Sequence, residues 1–341
     1  MAAEHVLVPV NEATDVASAR RIAAQLAQRS EFAGDAGALA IIVTEAATNL
    51  IKHAGGGDLL MRAVSNGAGC VMELIAVDRG PGMPWLDRCF TDGYSTVGSP
   101  GNGLGALARL SGFHDVYSIG GKGTVLLAHV GAPVRPGPWS PNTPLQYSAI
   151  NIPYPGEETS GDAWSIHAAP ERTRFMLADG LGHGVFASAA SAAALELIRE
   201  PTNASPADVL TSAHERLRAT RGAAAAVIDV DRSLGFVTFA GIGNVSACIV
   251  AQPPAPRRQM VSINGTLGHE MRSVRQYQYP LEPESLIVVH SDGLSTHWSF
   301  EKYPGLFERH TAVIAAVLFR DFRRPRDDAS IIVARTRGRV G

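Results

Sequence analysis

The sequence predicts an α+β protein of two domains. Its 341 residues exceed the size at which one hydrophobic core usually keeps growing. A proline-rich stretch at 131–145 cannot form a helix or a central strand, because proline fixes φ and removes a backbone donor. On both sides of this stretch, helical patterns accompany runs of short strands, which is typical of helices packed on sheets. We therefore predict domains at 1–130 and 146–341, joined by a linker at 131–145.

In the first domain, two helices are expected before a sheet. Apolar residues recur at helical spacing in 14–29 and 35–54, and Thr14 is a candidate N-cap of the first helix. A Gly/Pro/Asp-rich irregular segment separates the first two strands from one more helix and two further strands. The strands are predicted at 58–64, 70–77, 113–119 and 123–130, and the additional helix near 103–111.

In the second domain, strands are expected before and after two alanine-rich helices near 184–199 and 206–220. Short apolar runs bounded by turn residues indicate the strands. They are predicted at 146–152, 162–168, 172–178, 222–230, 234–242, 245–251, 286–291 and 329–335.

Composition limits the classes of partner. The formal net charge is −2 and no long basic run is present, which argues against nucleic acid, since phosphate backbones are bound by clustered Lys and Arg. The basic cluster at 320–326 is interpreted as a solvated helix end. No apolar stretch approaches the roughly 20 residues that cross a bilayer, and the N-terminus lacks signal-peptide features. Widely spaced cysteines without a CxxC pair fit a reducing compartment, so a cytoplasmic protein without a membrane partner is expected.

The first motif that carries chemistry lies on the second predicted helix. Glu45 and Asn49 are four residues apart, so both side chains lie on one helix face, opposite the apolar stripe. A carboxylate can accept a proton from an attacking hydroxyl or water, and an amide oxygen is a suitable ligand for Mg²⁺. Two polar residues on a solvated helix face would have the same pattern.

Two glycine-containing motifs follow. Asp78 comes directly after a strand, where its carboxylate can accept a hydrogen bond from an exocyclic amine such as that of adenine, and Gly80 and Gly82 let the backbone approach a flat ring. An ordinary turn has the same composition. Gly103 and Gly105 open a helix whose backbone N–H groups can bind phosphate. The run also fits GxGxxA, but a dinucleotide site requires a strand immediately before it, and a loop is predicted here.

In this order and spacing, the three motifs resemble the Bergerat-type ATPase fold shared by histidine kinases and anti-sigma-factor kinases. The run TDGYSTVGSPGNGLGALARLSGF with the later GGKGT is most similar to RsbT-type switch kinases. The resemblance covers roughly residues 10–130 and implies an α/β sandwich that binds ATP and Mg²⁺. It implies Glu45 as the general base, Asn49 as the Mg²⁺ ligand and Asp78 as the adenine contact. The positions expected along the nucleotide are Gly80, Gly82, Gly103, Gly105 and Thr124.

Four acidic motifs stand at the ends of predicted strands in the second domain. Each Asp-Gly alone is a common turn. Carboxylates that converge beside small residues can instead hold two Mg²⁺ or Mn²⁺ ions roughly 3.5–4 Å apart, which activate a water for attack on a phosphate. The motifs are SGD with Asp162, ADGLGHG with Asp179 and Gly180, SDG with Asp292, and DDAS with Asp327 and Asp328.

This series resembles the PP2C-type serine/threonine phosphatases of the SpoIIE and RsbX group, over about residues 146–336. The resemblance implies a layered α/β/β/α sandwich in which Asp179 bridges both metal ions and Gly180 offers its carbonyl. The further ligands expected are Asp292, Asp327 or its alternative Asp328, and Asp162 as an outer ligand. Asp179 and Asp292 are thereby the catalytic residues of this domain. No arginine is identified that would hold the substrate phosphate.

Together the two resemblances imply a bifunctional switch that phosphorylates and dephosphorylates Ser or Thr of a small STAS-domain protein in stress or sigma-factor signalling. A sigma-factor regulator is a further candidate partner. Two alternatives stay open, a non-catalytic domain that binds ATP and sequesters a partner, and an ATP sensor that regulates the attached phosphatase. Glu45 favours catalysis, since a domain that only binds needs no general base.

Overall fold

The computed structural model describes residues 4–65, 70–83, 103–131, 145–168, 172–199, 203–231, 235–252 and 256–336. These residues form two compact units. The first unit contains the described residues up to 131 together with Tyr303–Arg320, and the second contains 145–302 and 321–336. The grouping differs from the predicted boundaries, because Tyr303–Arg320 clusters with the first unit. Most of the predicted linker lies outside the described residues.

The first unit is a five-stranded antiparallel sheet with helices on one face. Its elements are β1 (Val6–Val10), α1 (Ala13–Arg29), α2 (Ala36–Asn49, continued by a π-helical turn over Leu50–Ala54), β2 (Gly57–Ser65), β3 (Cys70–Val77), α3 (Gly103–Leu110), β4 (Phe113–Ile119) and β5 (Gly123–Val130). The strand order is β1-β2-β3-β5-β4. Strand β1 was not predicted, because Pro9 interrupts its apolar run. Its position at the sheet edge explains why proline is tolerated there.

Helix α1 begins before its predicted cap. Thr14 lies inside the helix, and Glu12 occupies the cap position. The carboxylate of Asp15 accepts hydrogen bonds from the backbone N–H groups of Asn11 at 2.8 Å and Glu12 at 3.0 Å. An anion in the first turn stabilises the positive end of the helix dipole. The carboxylate of Asp15 therefore has the role at the start of α1 that the sequence pattern indicates for the hydroxyl of Thr14.

The face of the sheet that lies away from the helices holds a buried charge cluster. Arg62 Nε donates to Glu73 Oε1 at 2.7 Å, and His129 Nε2 lies 3.1 Å from Glu73 Oε2. His5 Nε2 lies 3.3 Å from Glu73 Oε1. Burial, assisted by the charge of Arg62, lowers the pKa of His5 to about 4. Although burial opposes it, the charge of Arg62 and hydrogen bonds with His129 and His5 hold the pKa of Glu73 well below its usual value.

Glu73→Gln is expected to destabilise the first unit by about 3–5 kcal/mol, because the buried guanidinium of Arg62 loses its carboxylate partner. Urea unfolding followed by circular dichroism measures the change. Glu215→Gln is the control, since Glu215 pairs with Arg218 on the exposed surface and should contribute less than about 1 kcal/mol. Equal effects of the two substitutions would contradict this prediction.

The same cluster predicts acid sensitivity. The pKa of His5 is lowered in the folded state from 6.5 to about 4, so its contribution to stability is complete above pH 6.5 and is lost as the pH falls toward 4. The depressed pKa of Glu73 acts in the same direction at still lower pH. Unfolding curves of the wild type should therefore shift to lower urea between pH 6.5 and 4, and His5→Gln should weaken that shift, because glutamine does not titrate in this range.

The second unit consists of two five-stranded antiparallel sheets packed face to face. Its elements are β6 (Leu145–Ile152), β7 (Asp162–Ala168), β8 (Arg172–Gly180), α4 (Val185–Leu195), α5 (Pro206–Arg216), β9 (Ala223–Asp231), β10 (Phe236–Ile242), β11 (Ser246–Val250), β12 (Arg258–Met260), β13 (Gln276–Pro280), β14 (Leu286–His290) and β15 (Ala329–Thr336). The sheets have the orders β13-β10-β9-β8-β7 and β12-β11-β14-β15-β6.

Alternation along the strands separates the core into two layers. In β8, Phe175 and Leu177 point between the sheets, whereas Met176 and Ala178 belong to the cluster that includes α4 and α5. The helices therefore cover the outer face of the first of these sheets. The fourth, helical layer of the predicted sandwich stays a prediction, since the next long helix in the described part of the chain clusters mainly with the first unit.

That helix, α6 (Thr311–Phe322), was not predicted, and it is buried from Thr311 to Arg320. The segment before it lies along β4. The backbone N–H of His310 donates to Asp115 Oδ2 at 2.8 Å, and Tyr117 Oη donates to the Pro304 carbonyl at 3.1 Å. Neither α6 nor any other helix in the described ranges is long and apolar enough to span a bilayer.

Candidate functional site

The helical motif and the glycine motif predicted to bind nucleotide converge in the first unit. Glu45 and Asn49 lie one turn apart on α2, and Gly103 opens α3. A Cβ atom at Gly103 would stand 2.5 Å from Glu45 Oε2 and 3.9 Å from Asn49 Oδ1. The absence of a side chain at this position therefore allows the carboxylate to lie against the start of α3.

The start of α3 is electrostatically suited to an anion. Backbone N–H groups and the helix dipole favour negative charge at a helix N-terminus, where the carboxylate of Glu45 already lies. A phosphate bound at this end would be adjacent to both the Glu45 carboxylate and the Asn49 amide. Gly105 is buried two residues further along the helix. Gly101 and Asn102, at the beginning of the predicted motif, lie outside the described residues.

Asp78 ends β3 and organises the loop after it. Its Oδ1 accepts hydrogen bonds from the backbone N–H groups of Gly80 at 2.8 Å and Thr124 at 3.1 Å. The backbone N–H of Asp78 donates in turn to the Thr124 carbonyl at 3.0 Å. Burial raises the pKa of Asp78, although the two N–H donors oppose the shift. Both bonds end on Oδ1, which leaves Oδ2 available to accept from a ligand amine.

The glycines of this loop pack closely against neighbouring backbone. A Cβ atom at Gly80 would stand 2.7 Å from Ala54 Cα, in the turn that extends α2, and one at Gly82 would collide with the carbonyl oxygen of Ile119. The Thr124 hydroxyl lies 2.9 Å from the Ser118 hydroxyl. The loop is thus held against α2 and β4. Contact of these residues with a nucleotide stays a prediction.

Asp78 has a neighbour that the sequence did not indicate. Arg320 on α6 is buried, and its Nη1 donates to the Asp78 carbonyl oxygen at 3.1 Å. Arg79 donates from its Nη2 to the carbonyl oxygen of Arg320. The interpretation of Arg320 as part of a solvated helix end is therefore wrong, whereas Arg324 and Arg326 of the same basic cluster are exposed.

In the second unit, the acidic motifs meet at the ends of strands from both sheets. Asp162 and Asp179 are partners in the β7–β8 ladder. Asp162 Oδ2 accepts a hydrogen bond from Ser291 Oγ at 2.6 Å, which links this pair to the end of β14 next to Asp292. The structure thus brings aspartates that are far apart in sequence into one cluster.

Burial and, after it, mutual repulsion raise the pKa values of the carboxylates in this cluster. Burial raises the pKa of Asp179 to about 9, and the charges of Asp162, Asp292, Asp327 and Asp328 add to the shift. Burial also raises the pKa of Asp162 to about 7 and those of Asp327 and Asp328 in the same direction. These groups cannot all be ionised at neutral pH without a compensating cation. The cluster is therefore suited to positive charge.

The donor set fits a hard divalent cation by chemistry. Carboxylate and carbonyl oxygens are the ligands that Mg²⁺ and Mn²⁺ prefer. Asp328 Oδ2 is buried and has no hydrogen-bond partner in the described part of the chain. Within the same residues, no group of three or more His, Cys, Asp or Glu side chains has the arrangement needed to hold a metal ion. The fit consequently rests on donor type and charge, not on completed coordination.

Sequence reasoning missed the polar residues that orient these carboxylates. Asn244 Nδ2 donates to Asp292 Oδ2 at 2.6 Å, and the Tyr154 backbone N–H donates to Asp328 Oδ1 at 2.7 Å. His183 stacks on Tyr154 with ring centres 4.4 Å apart, and its Nδ1 lies 2.8 Å from Glu157 Oε1. Ser291 could have been identified from its place in the SDG motif, whereas the sequence around Asn244 indicates only a turn.

Comparisons with known proteins find similarity to a kinase and, separately, to a phosphatase and the SpoIIE family. The family model described as stage II sporulation protein E (SpoIIE) matches residues 169–337. The serine/threonine-protein kinase RsbT of Bacillus subtilis (strain 168) is 30% identical over 115 residues, which is 33% of this chain and 86% of RsbT. The phosphoserine phosphatase RsbX of the same organism is 23% identical over 154 residues, 45% of this chain and 77% of RsbX.

A solved structure is also similar. It is described as belonging to the bacterial stressosome, a modular system adapted to control secondary messenger signaling. It covers 56% of this chain and 99% of its own, with 25% sequence identity and a TM-score of 0.52.

Proposed function

We propose a phosphorylation switch for this chain, which belongs to the family of the RsbT serine/threonine kinase and carries a PP2C-type phosphatase domain of the SpoIIE family. The first unit transfers phosphate from ATP to Ser or Thr of a partner protein. The second unit removes phosphate from Ser or Thr. The observation that carries the proposal is the Asp179 cluster, in which burial and four neighbouring carboxylates raise the pKa of Asp179 to about 9.

The phosphatase reaction would use the clustered aspartates as a cation site. Asp179, Asp292, Asp327 and the Gly180 carbonyl would hold Mg²⁺ or Mn²⁺ there. When bound, the ions supply an activated water and stabilise charge on the phosphate. Ser291 and Asn244 orient Asp162 and Asp292 through the hydrogen bonds at 2.6 Å. Asp328 is anchored by the Tyr154 backbone, which favours Asp327 as the direct ligand.

The kinase reaction would place the γ-phosphate of ATP at the start of α3. There Glu45 is positioned to accept the proton of the attacking hydroxyl, because its carboxylate lies against Gly103. Asn49 would hold Mg²⁺ on the same helix face. Asp78 would accept the adenine amine through Oδ2, since its Oδ1 is used by Gly80 and Thr124.

The partner we propose is a small STAS-domain protein. This partner is supported by the similarity of the chain to RsbT, RsbX and a stressosome structure. A sigma-factor regulator that contains such a domain would present the same hydroxyl. Cytoplasmic location follows from this partner and stays part of the proposal.

A second candidate function is regulation of the phosphatase by nucleotide. The observation that favours it is the hydrogen bond from Arg320 to the carbonyl of Asp78, the residue proposed to bind adenine. Arg320 belongs to Tyr303–Arg320, which clusters with the first unit and lies in the chain between Asp292 and Asp327. Movement of the Asp78 loop on nucleotide binding would therefore act on a segment that is covalently joined to two proposed metal ligands.

One experiment separates the two candidates. The full chain is incubated with radiolabelled ATP, Mg²⁺ and the STAS-domain protein encoded beside it, and the ATP is then depleted enzymatically before Mn²⁺ is added. The switch predicts label on Ser or Thr of the partner, followed by its release. Regulation predicts no transfer but a change in phosphoserine hydrolysis when ATP or ADP is added. A chain that hydrolyses no phosphoserine substrate in Mn²⁺ would contradict both.

A further inference from the structure

An exposed apolar patch lies beside the acidic cluster. Leu181, Val185 and Phe186 follow Asp179 closely in the chain and are 43%, 68% and 65% exposed. They make up half of the large exposed apolar side chains in the described part of the protein. Val185 is the first residue of α4, so the patch continues directly from the loop that leaves Asp179. Exposed apolar groups concentrated in this way indicate a binding surface.

Arg221 lies on the other side of the same loop. It lies two residues before the first residue of β9, in which Ala224 pairs with Asp179 across the β8–β9 ladder. The guanidinium carbon of Arg221 stands 5.1 Å from the ring centre of Phe186. A Cβ atom at Gly182 would be only 3.1 Å from Arg221 Nη1. The cation is thus held between the apolar patch and the backbone of the loop.

Two further contacts fix this arrangement. The backbone N–H of Leu181 donates to the Gly222 carbonyl at 3.0 Å, which ties the loop to the residue after Arg221. His269 Nε2 lies 2.9 Å from the carbonyl oxygen of Arg221. The backbone at Arg221 and Gly222 is thereby anchored, while the side chain of Arg221 is exposed. The fold therefore sets where this side chain begins, and its guanidinium lies against Phe186.

The chemistry of this neighbourhood suits a phosphorylated side chain. A guanidinium offers a planar pair of N–H donors that matches phosphate oxygens, and it can use its face on an aromatic ring at the same time. A dianionic phosphate approaching five aspartates is repelled unless cations compensate, and Arg221 is a cation beside the loop that follows Asp179. No motif in the sequence indicates this role, because Arg221 lies about 40 residues after Asp179 in an Arg-Gly pair.

We infer that Arg221 binds the phosphate of the substrate and that Leu181, Val185 and Phe186 bind an apolar side chain next to the phosphorylated residue. The inference rests on the proposed phosphatase function and specifies its substrate class, a phosphoserine or phosphothreonine within a polypeptide that exposes a neighbouring apolar residue. A small phosphoester reaches Arg221 and the aspartates but cannot cover the patch. Charge complementarity and continuity with the acidic cluster favour this occupant over a second copy of the chain.

The test compares a small and a peptide substrate on the full chain with Mn²⁺. The substrates are p-nitrophenyl phosphate and two phosphoserine peptides that differ only in Leu or Ala beside the phosphoserine. Val185→Ala is expected to raise KM for the Leu peptide about threefold or more and to leave kcat/KM for p-nitrophenyl phosphate within about twofold, because Phe186, which contacts Arg221, stays in place. Val261→Ala is the matched control, since Val261 is also exposed, at 53%, and lies outside the patch.

Arg221→Gln is expected to lower kcat/KM for all three substrates about tenfold or more, with Arg199→Gln as the control for an exposed arginine elsewhere. Equal effects of Val185→Ala on small and peptide substrates, or none on either, would overturn the inference while the phosphatase function stands. A change of oligomeric state in Val185→Ala without a change in peptide KM would assign the patch to a second copy and overturn it as well. No hydrolysis by the wild type would overturn both.

Discussion

Asp179→Asn is expected to reduce Mn²⁺- or Mg²⁺-stimulated hydrolysis of a phosphoserine substrate by more than about 100-fold, because loss of even an outer partner of a metal ligand reduces activity by about 10–100-fold. The charges of the other four aspartates all raise the pKa of Asp179, so its substitution should affect the binding of every proposed ion. Asp292→Asn should act in the same direction. Phosphate transfer from ATP should survive both changes, since Glu45 and Asp78 belong to the other unit.

Stability measured without metal distinguishes loss of the site from loss of the fold. The pKa of Asp179 is raised to about 9, so its contribution to stability is greatest below the unfolded value of 3.8 and is lost as the pH rises toward 9. An asparagine carries no charge at any of these pH values. Asp179→Asn should therefore be at least as stable as the wild type at pH 8 in the absence of metal.

Addition of Mn²⁺ provides the complementary measurement. Ligands that bind only the folded state raise the Tm, and this increase should be present in the wild type and absent in Asp179→Asn. Glu215→Gln is the control, because it neutralises an exposed carboxylate of a surface ion pair. A variant that kept hydrolysis and the Mn²⁺-induced increase in Tm would contradict the assignment of Asp179.

Much of the secondary structure followed from local patterns. Strands such as β3, β4, β5 and β7 were predicted with the bounds that the structure has, because short apolar runs end at glycine, proline or aspartate there. Helix α6 was missed for the opposite reason. Its residues 312–319 are all apolar and buried, so the sequence has no polar face to indicate helical periodicity. Strand β13 alternates exposed and half-buried polar residues and gave no apolar pattern.

The candidate sites were predictable residue by residue but not as arrangements. Spacing placed Glu45 and Asn49 on one helix face, yet their approach to Gly103 depends on how α2 and α3 pack, which no local pattern encodes. Similarly, Arg320 reaches Asp78 from more than 200 residues away, and the sequence suggested only a solvated helix end. Contacts of this range are decided by tertiary packing, so the sequence could indicate the donor groups but not their partners.

The aspartate cluster was likewise predictable only in part. Their types and strand-end positions indicated a cation site, and the structure brings Asp162, Asp179 and Asp292 into electrostatic contact. The sequence could not show that Ser291 and Asn244 orient them, because a hydroxyl or amide gains this role only through a neighbour on another strand. Ligation itself stays a prediction, since charge and donor type are its present support.

The second large effect is expected in the first unit. Glu45→Gln should bind ATP nearly as the wild type does but transfer phosphate to the partner at least about 100-fold more slowly, because an amide of the same size cannot accept the hydroxyl proton. Glu45→Ala should lose activity to the same degree. Asn49→Ala should instead lose Mg²⁺-dependent nucleotide affinity, since an amide oxygen is removed from the proposed metal site. Single-turnover transfer and nucleotide titration, measured separately, distinguish these effects.

Gly103→Ala tests the geometry behind this assignment without altering any proposed catalytic side chain. The added methyl group would stand 2.5 Å from Glu45 Oε2, so the carboxylate must move away from the start of α3. Gly120→Ala is the control, since a Cβ atom there would have no other atom within 4 Å. If Glu45 acts as the base from its present position, Gly103→Ala should slow transfer nearly as much as Glu45→Gln, and Mn²⁺-dependent hydrolysis in the second unit should be unchanged. Full transfer by Glu45→Gln, with the protein folded and ATP bound, would instead assign Glu45 to the packing of α2 against α3 and contradict its role as the general base.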